Sequence, residues 1–289
     1  MMTDKNVTGD DSDWDMVIKP QAGWIGLDLG ELWRYRDLVG LFVKRDFVAL
    51  YKQTVLGPLW YIIQPLFTTL VFTVIFGKVA KIPTDSIPPF LFYLAGNVMW
   101  GYFSTTLTAT SNTFNQNAAI FGKVYFPRLT VPLAVIIVNF LQFGIQFCLF
   151  LGFYFYFMVN GAPVFVTSWI WTLPLLLIQM AMLSFGFGIL ISSLTTKYKD
   201  LRFAMAFIIQ LWMYATPIVY PLSQIPDWLR SYYVLNPMVS LVEGFRLAFL
   251  GRSALCFSDV ISSVTVTILV VFIGVALFNR IEKTFMDTV

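Results

Sequence analysis

Between Leu129 and Thr196 the chain runs for 68 residues without one Asp, Glu, Lys or Arg. A single membrane crossing takes about 20 mostly apolar residues, so this run holds two, divided at the turn Asn160-Gly161-Ala162-Pro163. Charge is also absent between Lys52 and Lys78, from Ser86 to Gly122, from Phe203 to Pro226 and from Val260 to Asn279. Soluble domains carry about 25% charged residues. This chain carries 12%, against 58% hydrophobic residues and a mean hydropathy of +0.74. The pattern predicts an all-α membrane protein with six transmembrane helices at about 57–79, 90–112, 133–158, 169–194, 203–221 and 260–279. Gly57-Pro58 opens the first span, since proline fits a first helical turn. Pro65, Pro174 and Pro217 predict kinks.

Basic residues give the orientation. Lys44, Arg45, Lys52, Lys123, Arg128, Lys197, Lys199, Arg202, Arg280 and Lys283 flank the spans on one side. Lys78, Lys81, Arg230, Arg246 and Arg252 flank them on the other. The richer side is expected to be cytoplasmic, together with both termini. Residues 1–25 form a polar, acidic leader rather than a secretory signal.

Two segments depart from simple spans. Residues 28–54 read as an amphipathic helix along the cytoplasmic membrane surface. Asp28 and Glu31 resemble a capping box, and Leu32, Tyr35, Leu38, Val39 and Phe42 recur at helical spacing. Anchoring and partner docking are both open to it. Residues 228–251 are apolar but interrupted by Asn236-Pro237, Glu243, Arg246 and Gly251, which predicts a re-entrant helical hairpin before the last span. Glu243 and Arg246, three apart, are expected to form a structural ion pair.

Much chemistry is excluded. There is no histidine, and two cysteines, Cys148 and Cys256, cannot make a Cys₄ zinc site. No metal or cofactor is expected on the chain. A net charge of +3 carries no nucleic-acid signature. No G-x-x-x-x-G-K-[ST] loop occurs, so the chain does not hold ATP through a P-loop. Ion-coupled carriers place charged groups within their spans; here only Lys78, at the end of the first, falls inside one, so an energising subunit is expected elsewhere. A membrane enzyme would need a carboxylate cluster, whereas Asp46, Asp200 and Glu243 stand apart in sequence.

The spans instead carry uncharged polar and aromatic stripes. Trp60, Gln64 and Phe67 share one helical face, as do Asn139, Gln142 and Gln146, and Phe203, Phe207, Gln210 and Tyr214. Interhelical glue is one reading. The other is a path for sugars, whose hydroxyls suit amides and whose ring faces suit aromatics.

Several segments together resemble a known family. They are Arg45-Asp46; Tyr51-Lys52-Gln53-Thr54-Val55-Leu56-Gly57-Pro58-Leu59-Trp60 with Gln64-Pro65; Gly122-Lys123-Val124-Tyr125-Phe126-Pro127-Arg128; Lys197-Tyr198-Lys199-Asp200-Leu201-Arg202; Thr216-Pro217-Ile218-Val219-Tyr220-Pro221; and Asn236-Pro237. Their order and placement are similar to the permease subunit of ABC-2-type polysaccharide exporters, closest to O-antigen permeases, with capsular-polysaccharide and teichoic-acid permeases as relatives. The likeness runs from about residue 30 to the C-terminus, with an ABC-2-type transmembrane domain over 57–289.

The resemblance implies a non-enzymatic, channel-forming homodimer in a bacterial inner membrane, bound to two copies of an ATP-binding subunit that carries ATP and Mg. Its cargo would be a lipid-linked, O-antigen-like polysaccharide, on an undecaprenyl diphosphate carrier. Coupling to the ATPase would fall on Lys123, Val124, Tyr125, Phe126, Pro127 and Arg128, in a short helix at about 117–128, and on Lys197, Tyr198, Lys199 and Asp200. The interface helix would use Arg45, Asp46, Tyr51 and Lys52. Spans one and five would line the path, through Trp60, Gln64, Phe67, Phe207, Gln210 and Tyr214. Arg45, Lys52, Lys123 and Arg128 would also set topology and draw the carrier's diphosphate to the surface. The rivals are an ABC-2 permease for a lipid, drug or other small molecule, a membrane-embedded lipid-linked glycosyltransferase, and a purely structural membrane protein.

Overall fold

A computed structural model describes residues 29–52, 56–121, 123–124, 126–198 and 200–285. The leader 1–25, the expected cap Asp28, Gln53 to Val55, Tyr125 and Lys199 lie outside the described residues. Among the described residues the regular elements are all helical. In order they are α1 (Leu29–Arg34), α2 (Arg36–Tyr51), α3 (Trp60–Phe72), α4 (Pro89–Ser111), α5 (Thr113–Phe121), α6 (Thr130–Val159), α7 (Leu173–Lys197), α8 (Leu201–Tyr214), α9 (Asp227–Tyr233), α10 (Pro237–Leu250) and α11 (Phe257–Phe285).

Among the described residues four helical stretches are long and apolar enough to cross a membrane: Gly57–Val79, Thr130–Val159, Ser168–Thr196 and Phe257–Ile281. They match the expected first, third, fourth and sixth spans within a few residues. The first begins with a short turn around Pro58 and ends in wider turns over Thr73–Val79, where the Ala80 amide reaches back to the Ile75 carbonyl. The expected second and fifth spans differ. α4 is 23 residues long, but Asn97, two serines and four threonines lower its hydropathy. α8 has 14 residues and stops at Tyr214 instead of 221, because Pro217 lacks an amide donor and disfavours helix before it. Pro174 sits in the first turn of α7, a position that accepts proline without a kink.

The less apolar helix is the central one. Sixteen of the 23 residues of α4 are buried, against two of 13 in α3. Helices α3, α6, α7, α8 and α10 all pack on α4. Asn97 of α4 donates to Thr69 Oγ1 of α3 at 3.1 Å. Trp100 and Phe103 of α4 meet Trp212 of α8 edge-on at centroid distances of 6.4 and 5.1 Å. Phe187 of α7 closes on the same indole at 5.0 Å. Helix contacts within a membrane rest on close packing and on polar groups that bond across them, and α4 supplies both.

α7 and α11 make the most extensive helix pair. Their backbones touch: a Cβ on Gly274 would lie 2.5 Å from the Gly186 carbonyl oxygen, and one on Gly186 would lie 2.9 Å from the Val271 nitrogen. Gln179 Nε2 adds a bond to Ser263 Oγ at 2.7 Å across the pair. Exposed Leu175, Ile178, Ile268, Leu269, Phe272 and Ile273 face outward from these two helices, as lipid contact requires.

Candidate functional site

Three regions hold the residues that the sequence singles out. The first is the pair of stripes on α3 and α8. On α3, Pro65 and Thr69 are buried toward α4, while Trp60 and Phe67 are 52% and 63% exposed and Gln64 is exposed beside them. On α8, Met205, Ile209, Trp212 and Met213 pack inward, while Phe207 and Tyr214 are 62% and 47% exposed and Gln210 is exposed between them. Phe203 extends the α8 stripe at 83%. Both stripes therefore stand free of the core. α3 and α8 also sit on neighbouring parts of α4, at Asn97 and Trp100, one helical turn apart.

The second region is the end of the bundle built by α2, α5, the start of α6 and the last turns of α7 and α11. The apolar stripe of α1 and α2 (Leu32, Tyr35, Leu38, Val39, Phe42, Val43) packs on protein here. Phe42 is 5% exposed, with its ring 5.7 Å from Phe126. Phe126 continues to Phe121 at 5.6 Å, Phe121 to Phe114 at 6.0 Å, and Phe114 stacks on Phe278 of α11 at 4.6 Å. Each such pair adds about 0.5–1.5 kcal/mol beyond area burial. One aromatic chain thus joins α2, the α5 loop and α11.

The expected coupling residues divide on this framework. Lys123 and Val124 are exposed, whereas Phe126 is buried within the aromatic cluster. The Pro127 carbonyl accepts from Thr130 Oγ1 and starts α6. The Arg128 guanidinium lies 5.6 Å from the Phe121 ring centroid. Tyr198 is 50% exposed after Lys197 ends α7, and the exposed Asp200 accepts from the Phe203 amide to start α8. The helix expected at 117–128 is α5, which starts four residues earlier, after the bend at Asn112, and ends seven earlier at Phe121, so residues 123–128 follow it rather than lie in it. On α2, Arg45 Nε bonds Asp46 Oδ1 at 2.7 Å, and its guanidinium covers the Phe42 ring at 4.7 Å. Tyr51 is the last helical residue, and Lys52 is exposed, its amide donating to the Val48 carbonyl.

The same end contains a cleft of about 390 Å³. Arg45 and Asp46 border it on α2, Gln116 and Asn117 on α5, and Asn139 and Gln142 on α6. The remaining wall is aliphatic, with Ile120, Val131, Val135 and Val138.

The third region lies at the opposite end, around α10, and most of it escapes sequence reasoning. Glu243 and Arg246 do pair, at 2.9 Å, but both are buried, at 2% and 1% exposure. The Arg246 guanidinium also donates to the carbonyls of Pro217, Ile218 (3.0 Å) and Phe92 (3.3 Å), and it stacks 3.5 Å from the Phe92 ring centroid. Glu243 Oε2 accepts from Ser253 Oγ at 2.7 Å. Asn236 caps α10 by accepting from the Met238 amide (3.1 Å) and from Trp212 Nε1 (3.0 Å). Its Nδ2 donates to the Ala215 carbonyl (2.9 Å) and Thr216 Oγ1 (3.1 Å). The Thr216-Pro217-Ile218 and Asn236-Pro237 motifs are thus one structural unit. A glutamate three residues before an arginine inside an apolar segment was the available signal.

The pattern that defines ABC-2 type transporters matches residues 37–250, from the start of α2 to the end of α10. The chain belongs to the ABC-2 type transporter family. It is a multi-pass membrane protein. Among curated relatives, the O-antigen export system permease protein RfbA of Klebsiella pneumoniae is 28% identical over 256 residues, covering 87% of this chain and 94% of that protein. RfbA of Myxococcus xanthus is 26% identical over 264 residues, covering 90% and 98%. The capsule polysaccharide export inner-membrane protein CtrC of Neisseria meningitidis is 22% identical over 261 residues, covering 86% and 92%. All three are named for export, and the ABC-2 chain described here is likewise a transport subunit rather than an enzyme.

Proposed function

We propose that the chain is the channel-forming permease of an ATP-driven exporter that moves a lipid-linked, O-antigen-like polysaccharide out through a bacterial inner membrane. Six crossings, with α4 and α8 as the second and fifth, put both termini and the α5 end in the cytoplasm. α1 and α2 then form the interface helix, and α9 and α10 the re-entrant hairpin on the outer side. Two copies pair with two ATP-binding subunits, and the ATP and Mg sit on those subunits.

The observation that carries this reading is the pair of exposed stripes on α3 and α8. Lipid contact alone calls for apolar surface without amides, as on the described residues of α7 and α11. Gln64, Gln210 and the rings of Trp60, Phe67, Phe207 and Tyr214 suit sugar hydroxyls and sugar ring faces instead. Export in the named relatives points the same way. A neutral, aromatic path needs no ion coupling, so its directionality comes from nucleotide binding that favours one conformation over another.

The test is co-expression with the neighbouring ATP-binding subunit and purification in mild detergent. The reading expects a complex with equal numbers of both subunits, whose ATPase rate rises with an undecaprenyl-diphosphate-linked glycan. A chain that purifies without the ATPase, or a complex stimulated equally by phospholipid without glycan, would favour the lipid or small-molecule permease.

A further inference from the structure

We propose that the cleft between α2, α5 and α6 binds a phospholipid of zwitterionic headgroup, as a resident component of the permease and separately from the transported cargo. The starting point is Asn139 and Gln142. They are 6% and 7% exposed, lie on one face of α6 and open into the cleft. Among the described residues neither amide has a protein hydrogen-bond partner. Their amide atoms are not sealed in the core but reached from the cleft, so both are available to bond an occupant.

The lining selects the occupant. Ile120, Val131, Val135 and Val138 give an aliphatic wall beside Arg45, Asp46, Gln116, Asn117, Asn139 and Gln142, which suits a molecule carrying both an acyl chain and a polar head. Among the described residues no aromatic ring lines the cleft, so these offer no platform on which a sugar ring stacks. The two amides offer N–H donors that fit ester carbonyls. On the α2 side, Arg45 and Asp46 form an ion pair at 2.7 Å while remaining 41% and 29% exposed. Together they carry no net charge. A phosphate beside the guanidinium and an ammonium beside the carboxylate match that pair, whereas a net anion would meet Asp46.

Depth agrees with this occupant. α6 has 30 residues and a length of about 45 Å at 1.5 Å per residue, against about 30 Å of hydrocarbon. Its far end stays apolar and exposed to Val159, so the excess length falls at the Thr130 end. Asn139, ten residues in, then lies near the ester layer.

The experiment uses the full chain, purified in detergent and stripped of lipid. Native mass spectrometry and thermal unfolding are recorded with dioleoylphosphatidylethanolamine and with dioleoylphosphatidylglycerol. The proposal expects one retained ethanolamine lipid per copy, bound at least five times more tightly than the glycerol lipid. Asn139→Leu with Gln142→Leu removes the amides without breaking a protein hydrogen bond, and should weaken that binding tenfold or more. Val135→Phe fills the cleft and leaves the amides in place, so it decides the matter if the double variant does not fold. It too should lose the lipid. Equal affinity for both lipids, no retained lipid, or wild-type binding in Val135→Phe would overturn the proposal.

Discussion

The two ends of the bundle are held together by different physics. At the α10 end, direction matters: Arg246 reaches three carbonyls and one carboxylate from three separate segments, and Asn236 makes four bonds to α8, the chain after it and the first turn of α10. At the α5 end, a run of phenylalanines from Phe42 to Phe278 carries the contact between α2, the α5 loop and α11. Hydrogen bonds of fixed geometry lock one arrangement. Ring contacts tolerate small slides at little cost, because dispersion and edge-to-face packing vary gently with position. The comparison indicates that the α10 end is the rigid frame of the permease. In the proposed exporter, the α5 end would be where the ATPase's motion enters, through α2 and the α5 loop.

The largest effect is expected from Arg246→Met. It leaves Glu243 buried without its cation and strips three carbonyls of a donor, so the loss should be about 3–5 kcal/mol. Thermal unfolding in detergent, or the yield of folded protein, would register it. Arg246→Lys should not rescue, since one ammonium cannot reproduce the planar fork. Next comes Asn236→Ala, which removes a helix cap for about 1–2 kcal/mol and leaves the Trp212 indole unpaired. Indole fluorescence should shift with it.

A smaller effect is expected at the other end. Phe126→Leu keeps apolar volume and should cost less than about 1.5 kcal/mol. ATPase stimulation in the complex should nevertheless fall, because the link from the α5 loop to Phe42 is loosened. A large stability loss with normal coupling would erase the proposed difference between the ends. Least disruptive of all, Gln64→Ala and Gln210→Ala should leave stability within about 0.5 kcal/mol, as exposed substitutions do. Export of glycan measured in cells should drop in both.

Much of this was legible from charge alone. The window between Lys52 and Lys78 predicted a span at 57–79, and Gly57–Val79 is helical over that range. Charge-free windows report lipid contact, so they find α6, α7 and α11 well. They also place α4 within one residue, but not its position at the centre of the bundle, with Thr106, Thr110 and Asn97 buried. Pro217 was taken as a kink within a span, although it ends α8 and lends its carbonyl to Arg246. The resemblance puts Phe126 in a short coupling helix, whereas the structure places it after α5 and buries it. Its burial depends on Phe42, 84 positions earlier, which no local pattern reveals. The stripes of α3 and α8 were readable because helical spacing fixes a face, but only the fold shows that both faces remain free.

The central claim is that those two free faces meet their counterparts on a second copy and form the path. It is tested most directly by cysteine cross-linking in native membranes containing the ATP-binding partner. Cys148 and Cys256, both exposed, are first replaced by serine. Gln64→Cys and Gln210→Cys are then introduced separately, with Leu141→Cys on α6 and Ile268→Cys on α11 as controls on other exposed faces. The account predicts cross-linked dimers from the α3 and α8 positions, and none from the controls. Dimers from Leu141→Cys or Ile268→Cys, with monomers from Gln64→Cys and Gln210→Cys, would contradict it.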